Sequence, residues 1–367
     1  MRGTHEELGR AMGEFRAAQL KRSTDLAKAA LWEADVSRAM LAEQIGPYVE
    51  ATERIFPQHM RELRAMAEGA QVPFDVLFRL NCYESRPPGT PPGSVAGPAG
   101  PSPVFATLPT RRVEVKDPGV LAGAAPAGDG CTSVVSRGDG TVIVGHTEDS
   151  SPEAVDGIYL LDAEVVDGGN VVSRFLALNY ANTIPGCAAA MNRHGLIVLI
   201  DALPDPDRRL GASRHVVSRA LLDCESIDAA IGLLRETERG GGWNYVLIQG
   251  DRFANVETTA TRVVVTEDDG SGAYAHANHY LNEEIAADAG DPRPNSVARL
   301  MRAQQLVDRG LSLEAIKQVL SDREGFPDSI CRERTIAAFV ADAAAKRVEV
   351  CWGEPEGASW TAYSLGA

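Results

Sequence analysis

The sequence predicts an α+β protein in which sheets are covered by helices. Residues 1–86 are rich in Ala, Glu, Arg and Leu and hold few internal prolines or glycines, a helical composition. From Gly130 onward, short apolar runs are bounded by Gly, Asp and Asn, the pattern of strands. Two helical stretches, 214–237 and 296–320, interrupt those strands before strands resume, an order that suits a layered architecture.

Each element has a local reason. Met60, Leu63 and Ala67 recur at helical spacing, so one face of that segment is apolar. Gly69 is expected to end this helix, and a short second helix is expected after Pro73. Ten of the chain's 21 prolines fall in 87–129, which excludes a continuous helix or a central strand there. This segment reads as an exposed connector, with one edge strand at 111–116 (RRVEVK), and much of it is expected to be dispensable for chemistry. Strands are expected at 132–136, 141–145, 157–161, 196–200, 245–248 and 262–266, then at 335–340, 347–352 and 359–365. No internal repeat is present.

Composition narrows the function. Thirty-six basic against 51 acidic residues give a net charge of −15, which argues against nucleic acid and anionic membrane as partners. No apolar run reaches the length of a membrane span, and the opening MRGTHEELGR lacks an apolar export core. Six cysteines are scattered without a CxxC pair, so they read as reduced thiols in a cytoplasmic protein.

The sharpest feature is Asp129-Gly130-Cys131-Thr132-Ser133, where the connector meets the first strand. A glycine tolerates unusual backbone geometry, so the thiol that follows can attack the preceding carbonyl. Hydrolysis of the resulting thioester would free an N-terminal Cys131. Its α-amine, with an ordinary pKa of about 8, can then serve as the base for its own side chain. A lone cysteine is more commonly a small buried core residue.

The surrounding sequence supplies a context. DGCTSVVSRGDGTVIVGHTED resembles the opening of the catalytic chain in the acyl-coenzyme A:isopenicillin N acyltransferase family of N-terminal-nucleophile (Ntn) cysteine hydrolases. EGAQVPFDVLFRLNCYE, AMNRHGL, GGWNY, HANHYL and FPDSICR resemble further segments of that family, in the family's order. GHTED lacks the Asn usual in its segment. The resemblance implies a four-layer αββα sandwich and self-cleavage between Gly130 and Cys131. It divides the chain into a helical pro-segment (1–86, the small subunit), a connector (87–130) and a catalytic chain (131–367), both subunits coming from one precursor.

The resemblance also implies roles for other residues. Asp149 is expected beside the nucleophile, brought back by a hairpin, with Glu148 as the alternative if the register slips by one. Asn244 is expected to donate its amide to the oxyanion. Arg332 is expected either to bind a substrate carboxylate or to steady Asp149. Asn278 and His279 are expected in a turn lining the substrate pocket. His276, Asn278 and His279 lack a third ligand at metal-site spacing, so no metal and no cofactor are expected. His146 is expected to be packed or hydrogen-bonded.

The implied reaction is acyl transfer from a small N-acyl or aminoacyl amide through a Cys131 thioester. Water as acceptor makes the protein an amidohydrolase; an amine or thiol as acceptor makes it an acyltransferase, with an acyl-CoA or an acceptor amine as its expected partner. Two alternatives stand beside it: an unprocessed Cys–His hydrolase using His146 or His279, and a non-catalytic binding protein on the same scaffold.

Overall fold

The computed structural model describes residues 1–33, 36–85, 130–138 and 140–365. The Pro-rich connector, with its expected strand at 111–116, therefore lies outside the described residues.

The N-terminal part forms a two-residue strand, β1 (Arg2–Gly3), and five helices: α1 (His5–Phe15), α2 (Ala17–Glu33), α3 (Arg38–Ile55), α4 (Pro57–Ala70) and α5 (Phe74–Leu80). Thr4 and Glu7 form a reciprocal capping box that starts α1, and Pro57 occupies the first turn of α4, where its missing N–H costs nothing. Met60, Leu63 and Ala67 are buried together on α4, as their spacing requires.

Gly69 does not end that helix. The helix runs to Ala70 and stops at Gln71, which takes a left-handed conformation with φ 56°. The glycine serves packing instead: a Cβ there would lie 2.2 Å from the Arg10 carbonyl of α1. Gly9 on α1 is the reciprocal notch, its would-be Cβ 2.0 Å from the Glu62 carbonyl of α4. The two helices cross at backbone contact because these positions carry no side chain.

Two sheets follow. One has eight strands in the order β1-β4-β5-β6-β7-β8-β9-β10, comprising β4 (Ile158–Asp167), β5 (Asn170–Tyr180), β6 (Ala189–Asn192), β7 (Ile197–Asp201), β8 (Asn244–Gln249), β9 (Arg252–Thr258) and β10 (Val263–Glu267) besides β1. The other has six in the order β11-β2-β3-β12-β13-β14, from β2 (Gly130–Arg137), β3 (Val142–Asp149), β11 (Ala273–His276), β12 (Thr335–Asp342), β13 (Arg347–Trp352) and β14 (Trp360–Ser364). Among the described residues, these strands pair antiparallel except for β1 on β4.

Both long helical stretches are broken in two. The first becomes α6 (Arg214–Leu221) and α7 (Ile227–Glu236), the second α9 (Pro294–Leu306) and α10 (Leu313–Leu320); α8 (Glu283–Ala289) precedes α9. Serines make the breaks: Ser226 and Ser312 each accept the N–H three residues on and restart a helix.

Alternate residues of each strand enter different cores. Val135, Val144, Leu199, Val246 and Phe339 fill the layer between the sheets. Val134, Ile143 and Val340 face α9 and α10 instead, against Leu300, Ile316 and Leu320. On the far side, Val198, Tyr245 and Val256 pack against α1, α4 and α6 through Leu8, Leu63 and Val216. The four layers are thus α, β, β and α, the architecture the resemblance implied. Two contacts reach from α4 to the α6 region: a buried ion pair of Glu62 with Arg219 at 3.1 Å, and a hydrogen bond between His59 and Asp223 at 2.8 Å.

Gly9→Ala is expected to force α1 and α4 apart and to destabilise the protein by roughly 1–3 kcal/mol, the usual cost of overpacking. Urea unfolding of the variant against wild type measures this; an unchanged midpoint would show that the helices yield freely.

Candidate active site

The β2–β3 hairpin sets the site's register. Gly130 lies opposite Asp149, Cys131 opposite Glu148, and Ser133 opposite His146. Val135 and Val144 face the layer between the sheets, so by strand alternation Cys131 and Ser133, and His146 and Glu148, face it too. The opposing sheet sends Asp201 from the end of β7, Asn244 from the head of β8 and Glu257 from β9 to the same end of that layer, and β11 adds His276. The centre of the layer is apolar; this end is polar and buried.

Cys131 is 6% exposed. Its thiol donates to Glu148 Oε2 at 3.6 Å. The same oxygen meets His146 Nε2 at 3.0 Å, and Glu148 Oε1 accepts from Tyr180 at 2.7 Å. His146 Nδ1 contacts Ser133 Oγ at 3.0 Å, and Ser133 donates to Asp201 at 2.9 Å. Since the Ser133 proton goes to Asp201, its oxygen is left to accept from His146 Nδ1–H. Nε2 must then carry the second proton toward Glu148. His146 accordingly titrates above its ordinary value: burial opposes its charge, but the bond to Glu148 and the nearby carboxylates outweigh burial. The Cys131 thiol is pushed well up, first by burial and then by Glu148, Asp201 and Asp149.

The backbone of Cys131 is held as firmly as its side chain. Its N–H donates to Asn278 Oδ1 at 2.9 Å, and its carbonyl accepts from Arg299 Nη1 at 2.5 Å. Arg299 also donates to Thr132 Oγ1 at 2.8 Å and to Asn278 Oδ1 at 2.6 Å. Burial lowers its pKa to about 10. This clamp explains Gly130: a Cβ there would sit 2.2 Å from Asn278 Oδ1 and 2.7 Å from Arg299 Nη2.

The other expected residues are distributed as follows. Asp149 is one residue out of phase with Glu148, and its carboxylate accepts from Arg332 Nε at 2.8 Å and Thr335 Oγ1 at 2.7 Å. The carboxylate against the thiol is that of Glu148. Arg332 thus makes the contact with Asp149 that is one of its two expected roles. Asn244 Nδ2 donates to Asp201 at 3.0 Å, while its Oδ1 is buried without a partner. Asn278 sits on the Cys131 amide, and His279 turns to Ser296 of α9 at 2.8 Å. His276 lies between Glu257 (Nε2, 3.1 Å) and Asp201 (Nδ1, 3.3 Å, close enough for an ion pair but out of line for a hydrogen bond). Burial disfavours its charge, yet the two carboxylates raise its pKa to about 9. The same imidazolium helps hold both carboxylates below their ordinary range against burial.

Ligand atoms of Cys131, His146 and Glu148 lie within 4.8 Å of one another, a donor set zinc would accept. The hydrogen bonds just described account for all three with protons. His276 and His279 turn to different partners.

Sequence reasoning missed Arg299, Asp201, Glu257, Ser133 and Tyr180. Arg299 left a signal: it shares a helical stripe with Ser296, Leu300 and Ala303, all buried, where a cation needs a reason.

A family model described as acyl-coenzyme A:6-aminopenicillanic acid acyl-transferase matches residues 135–357. The chain belongs to that family. The match begins four residues after Cys131, so it does not cover that residue. Beta-alanyl-dopamine/carcinine hydrolase of Drosophila melanogaster is 27% identical over 252 residues, 65% of this chain; the chain spans 57% of that relative's length. Among solved structures, a Caenorhabditis elegans ortholog of N-acylethanolamine-hydrolyzing acid amidase aligns at 13% identity over 58% of this chain and 93% of its own, with a TM-score of 0.42. A variant of conjugated bile acid hydrolase from Clostridium perfringens aligns at 10% identity over 64% of this chain and 97% of its own, with a TM-score of 0.37. Among the described residues, no helix is long and apolar enough to cross a membrane.

The His276 pair has a pH signature. A histidine whose folded pKa is raised from 6.5 to about 9 adds stability that is complete below its unfolded pKa and is lost as pH rises through about 9. Wild type is therefore expected to lose on the order of 3 kcal/mol between pH 7 and 10 that His276→Gln does not lose. Urea titrations of both proteins across that range test it; parallel curves would mean that the imidazole is neutral.

Proposed function

We propose that this chain is a self-processing cysteine amidase or acyltransferase that forms a thioester on Cys131. The observation that carries the reading is the clamp on the Cys131 backbone. Its nitrogen is held by Asn278 and its carbonyl by Arg299, behind a residue that must be glycine. Such a clamp fixes the Gly130–Cys131 peptide bond beside the thiol. It also leaves the nitrogen anchored once that bond is cut.

After the cut, the α-amine of Cys131 is the base for the thiol. The thiolate attacks the amide carbonyl of the substrate, and the oxyanion is met by Asn244, whose second amide hydrogen is not the one given to Asp201. Collapse expels the amine and leaves an acyl-Cys131 thioester, which water or an acceptor amine or thiol then resolves. Asp149 and Arg332 form a fixed ion pair beside the nucleophile's strand and keep its end in place. No cofactor enters this chemistry. The substrate class is a small N-acyl or aminoacyl amide, consistent with a family described by an acyl transfer and a relative named for β-alanyl amides. Coenzyme A or an amine would serve as acceptor in transfer.

One observation favours the unprocessed alternative: a ring nitrogen of His146 lies within 4.8 Å of the Cys131 thiol. Glu148 stands between them in the hydrogen-bond chain, so the imidazole does not receive the thiol's proton directly.

Processing is read by intact mass and N-terminal sequencing of purified protein incubated with a panel of N-acyl amines. A chain beginning Cys-Thr-Ser is expected, together with an acyl adduct on it, and Cys131→Ala is expected to stay whole. Catalytically competent protein without that N-terminus would replace this reading with the Cys–His one. Asn244→Ala, assayed after processing, is expected to lower kcat by ~10²–10³ with little change in KM. A loss of less than about threefold would move the oxyanion hole to backbone N–H groups or Asn278.

A further inference from the structure

We propose that Glu148 is the general base that takes the Cys131 thiol proton in the self-cleavage step, a duty separate from that of the α-amine in turnover. This inference rests on the self-processing reading above and extends it to a residue that reading does not use.

The need arises from chemistry. In the uncut chain the α-nitrogen of Cys131 is an amide, with its lone pair delocalised into the Gly130 carbonyl, and its N–H is committed to Asn278 Oδ1. It cannot accept a proton. The base that serves every later turnover does not exist at the first step. The thiol is also buried among carboxylates that disfavour its ionisation, so a waiting thiolate is not available. The proton must leave as the sulfur attacks, to an acceptor already in contact.

Glu148 is that acceptor on three counts. Strand register places it directly across from Cys131 on the same face, and its Oε2 is the atom to which the thiol donates. The neighbouring Asp149 lies on the other face of β3, across from Gly130, where it pairs with Arg332. Glu148 is also built into a frame, with His146 on Oε2 and Tyr180 on Oε1, which fixes its orientation without consuming the approach from sulfur. When the proton moves from sulfur to Glu148, the negative charge moves the other way. The His146 ring, within 4.8 Å of the thiol and hydrogen-bonded to Glu148, faces the charge in both positions.

The step balances. Sγ–H gives its proton to Glu148 Oε2 as Sγ bonds to the Gly130 carbonyl carbon. The protonated Glu148 then returns that proton to the Cys131 nitrogen as the carbon–nitrogen bond breaks. The products are a Gly130–Cys131 thioester and a free amine. Water adds to the thioester carbonyl, the carbon–sulfur bond breaks, and sulfur recovers a proton, leaving a Gly130 carboxylate.

The test follows full-length chain made by cell-free translation, with cut and uncut forms resolved by intact mass over time. Glu148→Gln keeps the shape and the acceptor for Tyr180 but cannot take a proton. It is expected to be cut about 10²–10⁴-fold more slowly than wild type, the usual range for loss of a general base. Cutting within threefold of wild type would overturn the proposal. Glu148→Ala guards against a folding defect: formate, entering the space left by the side chain, is expected to accelerate cutting in a saturable way, and formamide, which has the shape but not the basicity, is not. Equal response to both, or to neither, would assign Glu148 a structural part only. Failure of the wild-type chain to cut at all is a different result and would remove the self-processing reading itself.

Discussion

Two sheets packed face to face share a single buried layer, and a strand can offer that layer only every second side chain. In this protein the alternation is apolar through the body of the sandwich and becomes polar over the last turns at one end. Val135 gives way to Ser133 and Cys131 on β2, Val144 to His146 and Glu148 on β3, Leu199 to Asp201 on β7, and Val246 to Asn244 on β8. The pleat that builds the core therefore also assembles the site. A functional group can be added or removed there without disturbing the core on the opposite faces of the same strands.

Burial on this scale must be electrically balanced. Glu148, Asp149, Asp201 and Glu257 are met by His146, Arg332 and His276, and Arg299 adds a cation beside the Cys131 carbonyl. Stripping one member would leave a buried charge without a partner, which is far costlier than the intact pair is favourable. Against burial, those carboxylates raise the pKa of both histidines, that of His276 to about 9. With the carboxylates, they set the field around the Cys131 thiol.

Much of this was legible in the sequence, for reasons that can be named. Cys131 was marked by a change in composition, from Pro-rich connector to strand. The strands were marked by apolar runs, and several of their boundaries agree with the structure to within one or two residues, as at β13. The αββα layering followed from the family resemblance. What was not legible depends on phase and on distant partners. The choice between Glu148 and Asp149 at the thiol turns on a single residue of register, which a string of polar side chains at a strand end does not reveal. The helix breaks at Ser226 and Ser312 were hidden because flanking apolar periodicity continues through them. Gly69 was read as a helix end because a glycine near a helix terminus usually is one, whereas here it admits another helix's backbone. Arg299 is 168 residues from the carbonyl it holds.

The ties between α4 and the α6 region carry a consequence for how the molecule comes apart. Arg219 and Glu62 are both wholly buried, and the apolar layer around them is continuous from Leu8 and Leu63 to Val198 and Val256. A break anywhere in 86–129 would leave the two pieces sharing that interior rather than meeting at a surface. Neither piece could leave without opening its own core and stranding a charge inside it, so separation and unfolding would be one event. The pieces would then melt together in a single transition, and because that transition sets two chains free, its midpoint would fall on dilution.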